Sequence, residues 1–114
     1  MSSGIATYVI PTTDADATKA LLTILAGEPH TDQPYYVGWN VNGLEIGLNP
    51  NGHATGMTAA TNYWEVDDVA KTFDELVAAG AKPDQPAHEV GGGTTIATVS
   101  DKDGNLLGLI HRAG

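Results

Sequence analysis

The alternation of apolar and polar residues in the first half of the chain predicts a strand, a helix and a hairpin. Residues 5–10 are typical of a half-buried strand, and the helix that follows begins at Asp14 or a neighbouring threonine and ends at Gly27. The next two strands are joined by a tight turn at Asn42 and Gly43, because an Asn-Gly pair readily adopts the positive φ angles of such turns. The helix is expected to carry an apolar stripe at Ala17, Leu21, Ile24 and Leu25.

The second half of the chain shows the same order of elements. Residues 61–66 predict a strand, and the following helix begins at Asp67 or Asp68 and ends at Gly80, with Pro83 shortly after it. Its apolar stripe is expected at Val69, Phe73, Leu76 and Val77. Three further strands are predicted at residues 87–90, 94–99 and 106–111.

The shared order of elements indicates an internal repeat within a single domain of residues 1–114. Module 1 covers about residues 5–50 and module 2 about residues 60–112. A constant shift aligns the ends of the two helices. The last strands also match, LEIGL of module 1 against NLLGLI of module 2, so that Gly47 corresponds to Gly108. Glycine inside a strand loses backbone entropy and packs poorly, so this pair indicates a place where another group comes close.

Composition narrows the classes of partner. Five basic residues against fourteen acidic ones give a net charge of −9, which disfavours nucleic acid and anionic membranes as partners. The chain has no cysteine, so disulfides, thiolate nucleophiles and thiolate metal sites are excluded. No apolar run is long enough to cross a bilayer and no leader-like segment stands at the N-terminus, so a cytoplasmic protein is expected.

The segments YWEVDDVAKTFDELVAAGAKP and VSDKDGNLLGLI, within this duplicated plan, resemble the glyoxalase/bleomycin-resistance/dioxygenase superfamily, also called vicinal oxygen chelate proteins. The resemblance implies an α+β fold, in which two βαβββ modules form a cup-shaped mixed β-sheet with the helices packed outside. Enzymes of this family hold a divalent metal in the cup through residues on the first and last strands of each module. The corresponding positions here are Thr61 and Gly108 in module 2, and Gly47 and a residue near Thr7 in module 1.

None of these four positions offers a histidine or a carboxylate, and a catalytic divalent ion needs about three such protein ligands. The four histidines, which are His30, His53, His88 and His111, show no spacing typical of a metal site. We therefore expect no metal and no other cofactor.

The alternation of side chains along each strand predicts which residues line the cup. The Asn-Gly turn pairs Val41 with Leu44, Trp39 with Ile46 and Val37 with Leu48 on the core face, and Asn40 with Glu45 and Gly38 with Gly47 on the other face. Trp64 and Val66 are expected in the core beneath the second helix. The predicted ligand-binding residues are Tyr36, Gly38, Asn40, Glu45, Gly47, Thr61, Tyr63, Glu65, Leu106, Gly108 and Ile110.

This lining favours a metal-independent protein that binds a small organic molecule, sequestering an aromatic or apolar drug or natural product. The glycines would let a flat ring lie against backbone, the two tyrosines would stack on it, and Glu65, Glu45 and Asn40 would orient it. The alternative is a glyoxalase-like lyase or isomerase, or a dioxygenase-related enzyme, with Glu65 or Glu45 as base or with an unrecognised metal site. A third interpretation is an inactive cup in a protein that works through a partner interface, which the acidic surface and the apolar edges permit. By resemblance, the protein is expected to be a homodimer.

Overall fold

The computed structural model describes residues 2–112, and these residues form two compact units. The first unit comprises residues 7–61, and the second comprises residues 62–112 together with residues 2–6. Each has the order strand, helix and three strands, which confirms the predicted α+β class and the βαβββ plan of each half. None of the helices in the described part of the chain is long and apolar enough to cross a membrane.

The first unit carries a four-stranded mixed sheet in the order β2-β3-β4-β1, in which β1 runs parallel to β4 and the other neighbours are antiparallel. A short 3-10 turn at His53–Thr55 follows the last strand. The elements are β1 (Gly4–Pro11), α1 (Ala15–Ala26), β2 (Thr31–Gln33), β3 (Tyr36–Val41) and β4 (Leu44–Asn49).

The hairpin between β3 and β4 has the predicted register throughout. Trp39 lies opposite Ile46, Gly38 opposite Gly47 and Asn40 opposite Glu45. The turn residues Asn42 and Gly43 have φ angles of 53° and 87°, as a two-residue turn with two positive φ angles requires. Because this register is fixed, the residues of the two strands alternate between the core face and the opposite face as expected.

Helix α1 begins and ends where the sequence predicts, but its apolar stripe is not its buried face. The Asp14 carboxylate caps the first turn by accepting a hydrogen bond from the backbone N–H of Ala17, and the N–H of Gly27 closes the last turn. The residues that pack against the core of Val37, Trp39 and Leu48 are Leu22 and Ala26. The prediction for Ala17, Leu21, Ile24 and Leu25 is therefore wrong as a core stripe, since the last three are 64%, 83% and 81% exposed.

The second unit carries a mixed sheet in the order β5-β8-β7-β6, with β5 parallel to β8. Its helix is capped by Asp68, the second of the two predicted candidates, whose carboxylate accepts from the N–H of Lys71. The core beneath the helix contains Val66, Val69 and Leu109. The elements are β5 (Thr61–Glu65), α2 (Val69–Ala78), β6 (Lys82–Glu89), β7 (Thr95–Ser100) and β8 (Leu106–His111).

Two expectations for the second unit need correction. Strand β6 begins at Lys82 rather than at residue 87, because an edge strand tolerates Pro83 and Pro86 when its register shifts around them. Trp64 lies on the helix side of the sheet, as its register partner Leu109 does, but it is 38% exposed and does not belong to the core.

Candidate functional site

In each unit, the face of the sheet opposite the helix carries a tyrosine ring over glycine; we call this the helix-free face. In the first unit Val37, Trp39 and Leu48 pack beneath α1, so the alternate residues Tyr36, Gly38 and Gly47 lie on the helix-free face. A Cβ built on Gly47 would lie 2.5 Å from Tyr36 Cε1, and one built on Gly38 would lie 2.7 Å from Tyr36 Cε2. The ring of Tyr36 therefore covers both glycines.

A hydrogen-bonded chain of polar side chains holds this ring in place. The Tyr36 hydroxyl donates to Glu45 Oε2 at 2.5 Å, and Glu45 Oε1 lies 2.8 Å from His30 Nε2. The other ring nitrogen of His30 lies 2.7 Å from the Thr31 hydroxyl. Burial, and then the hydrogen bond to Glu45, raise the pKa of Tyr36 well above that of a free tyrosine, so the phenol stays protonated and donates to the carboxylate.

The second unit has a related arrangement. Tyr63 on β5 is the register partner of Gly108 on β8, and a Cβ built on Gly108 would lie 2.5 Å from Tyr63 Cδ1. Burial raises the pKa of Tyr63, and the negative charge of Asp84 raises it further. Asp84 accepts a hydrogen bond of 2.6 Å from the hydroxyl of the buried Thr98, which lies opposite Gly108 on β7. Here too an aromatic ring lies over glycine with a carboxylate nearby.

These rings change the interpretation of the glycines. The sequence predicted that a ligand's flat ring would lie against the backbone at Gly38, Gly47 and Gly108, but the chain's own tyrosines fill that space. A ligand on these faces would meet tyrosine rather than glycine. The glycines are needed because a Cβ at any of them would overlap a ring.

Other predicted residues have structural partners. Asn40 is exposed, and its side chain accepts from the N–H of Gly43, so it stabilises the hairpin turn. Glu65 Oε1 lies 2.9 Å from Arg112 Nε, and Oε2 lies 3.9 Å from His111 Nδ1. Leu106 is half-buried and Ile110 is 7% exposed, and both share the face of Gly108 because the intervening Leu109 lies in the core.

Thr61 begins β5 and is 1% exposed, and its hydroxyl has no hydrogen-bond partner among the described residues. An unpartnered buried hydroxyl costs about 1–3 kcal/mol. This is the one predicted residue whose side chain is left chemically unsatisfied in the described part of the chain.

Three polar residues of these faces are not among the site residues predicted from the sequence: His30, Asp84 and Thr98. His30 lies just ahead of β2, a three-residue strand with no apolar alternation. Asp84 lies in the part of β6 that was not predicted, because Pro83 and Pro86 interrupt the strand pattern there. Thr98 lies in a predicted strand. It lies directly opposite Gly108 in the antiparallel β7–β8 pair and therefore on the same face of the sheet, and this pairing is what could have identified it.

Residues 4–109 match the Glyoxalase/Bleomycin resistance protein/Dioxygenase superfamily. The chain belongs to this superfamily. Two curated relatives, both named "Putative glyoxylase CFP32", from Mycobacterium bovis and Mycobacterium tuberculosis, are 30% identical over an alignment 110 residues long that covers 88% of this chain. The chain spans only 42% of the length of those relatives.

Solved structures show that the superfamily fold extends over nearly the whole chain. Methylmalonyl-CoA epimerase of Streptomyces coelicolor superposes with a TM-score of 0.73 at 16% identity, covering 100% of this chain and 97% of the other. A superfamily member from Vibrio splendidus gives a TM-score of 0.68 at 14% identity, covering 94% and 97%. At such identities the likeness concerns the fold alone.

The positions at which this superfamily binds a divalent metal do not fit a metal in this chain. Gly47 and Gly108 have no side chain, and tyrosine rings occupy the space in front of them. Thr7 and Thr61 could offer only hydroxyl oxygens, which are weak ligands compared with imidazole or carboxylate. Among residues 2–112 no group of three or more histidines and carboxylates is close enough to hold an ion.

Proposed function

We propose that the protein binds a small organic molecule with a flat aromatic or apolar part, that it does so without a metal ion, and that it acts by sequestering this molecule. The primary contact surface is the helix-free face of the first unit, at Tyr36. The helix-free face of the second unit, at Tyr63, offers a surface of the same kind.

The observation that carries this proposal is the position of the Tyr36 ring over Gly38 and Gly47. Where a metal enzyme of the superfamily presents a carboxylate, this chain presents an aromatic ring. The ring is held in place by the hydrogen bond from the Tyr36 hydroxyl to Glu45. A fixed ring loses little conformational entropy when a ligand stacks on it, and aromatic pairs contribute about 0.5–1.5 kcal/mol beyond the area they bury.

The polar groups beside the ring supply selectivity. The Glu45 side chain is one-fifth exposed and that of His30 nearly half exposed, so both remain within reach of a ligand. Glu45 can accept hydrogen bonds from a ligand hydroxyl or amine, and the imidazole of His30 can take part in hydrogen bonds through its ring nitrogens. An apolar body with one or two hydrogen-bond donors is the ligand chemistry that this arrangement fits best.

Binding is tested by equilibrium dialysis against a panel of polycyclic aromatic natural products, with and without EDTA. We expect at least one compound to bind equally well in both conditions. Tyr36→Leu should weaken that binding about tenfold, which corresponds to about 1.4 kcal/mol. The matched control is Tyr35→Leu, because Tyr35 is the adjacent tyrosine and is 67% exposed. Loss of binding in EDTA, together with a stoichiometric divalent metal in the purified protein, would contradict the proposal.

A second candidate is a lyase or isomerase that uses Glu45 as a general base. The observation that favours it is the carboxylate's position between a phenol and an imidazole, where a proton abstracted from a substrate could pass to His30. Glu65 suits this role less well because Arg112 already pairs with it. Turnover of a thioester or of a glutathione adduct that Glu45→Gln abolishes, without loss of substrate binding, would favour the enzyme over the binding protein.

A further inference from the structure

A groove of about 540 Å³ lies on the helix side of the second unit, along the first turns of α2. Trp64, Leu107 and Leu109 line it from the sheet, and Leu76 lines it from the helix. On β8 the residues that line this groove alternate with Gly108, so the groove and the helix-free face lie on opposite sides of the strand. The groove is therefore separate from the surface proposed above.

Trp64 can offer an occupant only its ring surface. Its indole N–H donates to Asn62 Oδ1 at 2.9 Å, and tryptophan has no other polar group. Trp64 as a whole residue is nevertheless 38% exposed, which is unusual for a large aromatic residue with apolar neighbours. An apolar group or a cation over the ring are the two contacts that remain available.

The charges around the groove select between these two. Asp67, Asp68 and Glu75 contribute three carboxylates, and Lys71 is the one basic residue among the lining residues, so the groove carries an excess of two negative charges. Within residues 2–112 neither Asp67 nor Glu75 forms an ion pair, and neither does Lys71. This net negative charge would repel an anionic occupant and attract a cation.

We propose that this groove binds an organic cation, a protonated or quaternary amine with an apolar or aromatic body. The body packs against Leu107 and Leu76, while the cationic nitrogen lies near Trp64 and the carboxylates of Asp67 and Glu75. The groove's volume falls within the range of about 300–1,000 Å³ that small-molecule sites occupy.

The test uses three soluble probes with the same ring and different charge: benzyltrimethylammonium, benzyl alcohol and benzenesulfonate. The chain contains two tryptophans, so the indole region of a 1H–15N spectrum reports on Trp64 directly. Trp39, whose indole N–H donates to Gly27 O in the first unit, is the internal control for folding. We expect the Trp64 signal to shift and saturate with benzyltrimethylammonium, to shift less with benzyl alcohol and not to shift with benzenesulfonate.

Variants separate a specific site from the general attraction of an acidic protein. Asp67→Asn combined with Glu75→Gln should weaken binding of the cation about three- to tenfold, because exposed ion pairs contribute factors of this size when two are removed. The matched control, Asp74→Asn with Asp103→Asn, removes the same charge from exposed positions outside the groove and should leave affinity unchanged. Equal shifts with all three probes, an unmoved Trp64 signal, or equal effects of the two double variants would overturn the proposal.

Discussion

Tyr63 and Gly108 are register partners on adjacent parallel strands, and the tyrosine ring fills the space where a side chain at position 108 would begin. In the first unit the corresponding glycine, Gly47, is covered in the same way by Tyr36. The two tyrosines come from different strands of their repeats, since Tyr63 lies on the first strand of its unit and Tyr36 on the hairpin strand beside Gly47. The two repeats thus share a glycine covered by tyrosine and differ in the strand that carries the tyrosine.

The two glycines should respond differently to alanine. The three atoms nearest to a Cβ at Gly47 all belong to the Tyr36 side chain, whereas a Cβ at Gly108 would also lie 2.7 Å from the backbone oxygen of Asn62. A ring can rotate away, but a carbonyl in a parallel sheet cannot. We expect Gly108→Ala to lower the free energy of unfolding by about 1–3 kcal/mol, as overpacking typically does.

Double variants isolate the role of each ring, with urea unfolding as the measurement. Tyr36→Ala should remove most of the cost of Gly47→Ala, because the overlap is then gone. Tyr63→Ala should leave much of the cost of Gly108→Ala, because Asn62 O remains. Equal rescue at both positions would mean that the backbone contact at Gly108 is unimportant.

The unpartnered hydroxyl of Thr61 predicts a stabilising substitution. Thr61→Val keeps the shape of the side chain and removes a buried polar atom that has no partner among the described residues, so the free energy of unfolding should rise by about 1 kcal/mol. The matched control is Thr98→Val, at another buried strand threonine whose hydroxyl donates to Asp84. That change should lower the free energy of unfolding by about 1 kcal/mol. A loss of stability in Thr61→Val would show that the hydroxyl has a partner in solution.

The raised pKa values of Tyr36 and Tyr63 predict a loss of stability at high pH. Burial, followed by Glu45 for Tyr36 and by Asp84 for Tyr63, holds both phenols protonated in the folded state. An unfolded tyrosine ionises near pH 10. The two tyrosines therefore stabilise the folded state fully below about pH 10. This stabilisation is lost as the pH rises from about 10 through the pKa values of the two tyrosines in the folded protein, because over that range the unfolded chain binds fewer protons.

Phenolate absorbance and urea unfolding, measured across the same pH series, test this expectation. Tyr36→Phe should remove one ionisation step that lies well above pH 10 and should make the alkaline decline in stability shallower. A step lost near pH 10 itself would show that the bond between Tyr36 and Glu45 does not hold the phenol protonated.

The sequence determines those features that depend on local chemistry. The hairpin register follows from Asn42 and Gly43, and both helix starts follow from an aspartate that caps the first turn. The alternation of side chains along strands β3, β4 and β8 then predicts which of their residues lie opposite the helices. These features need no knowledge of distant contacts.

Features that depend on which residues meet across the sheet do not follow from the sequence pattern. That Tyr36 turns back over Gly47, and that Asp84 approaches Thr98 across a strand interrupted by two prolines, depends on packing between strands. The candidate site therefore changes in character, because the glycines that were expected to touch a ligand prove to be covered by tyrosines. No spacing rule in a single sequence contains that information.

The two faces of α1 provide the last test. Five of the six residues from Leu21 to Ala26 are apolar, so the helical period alone does not select a buried face. The structure selects the side of Leu22 and Ala26, on which Lys19 also forms an ion pair with Asp32 of β2. Leu22→Ala should lower the free energy of unfolding by about 1–3 kcal/mol, while Leu25→Gln should change it by less than about 0.5 kcal/mol. Urea unfolding at several protein concentrations measures both. If Leu25→Gln were as destabilising as Leu22→Ala, and more so at high concentration, the outer face of α1 would be buried in the expected homodimer rather than exposed to water.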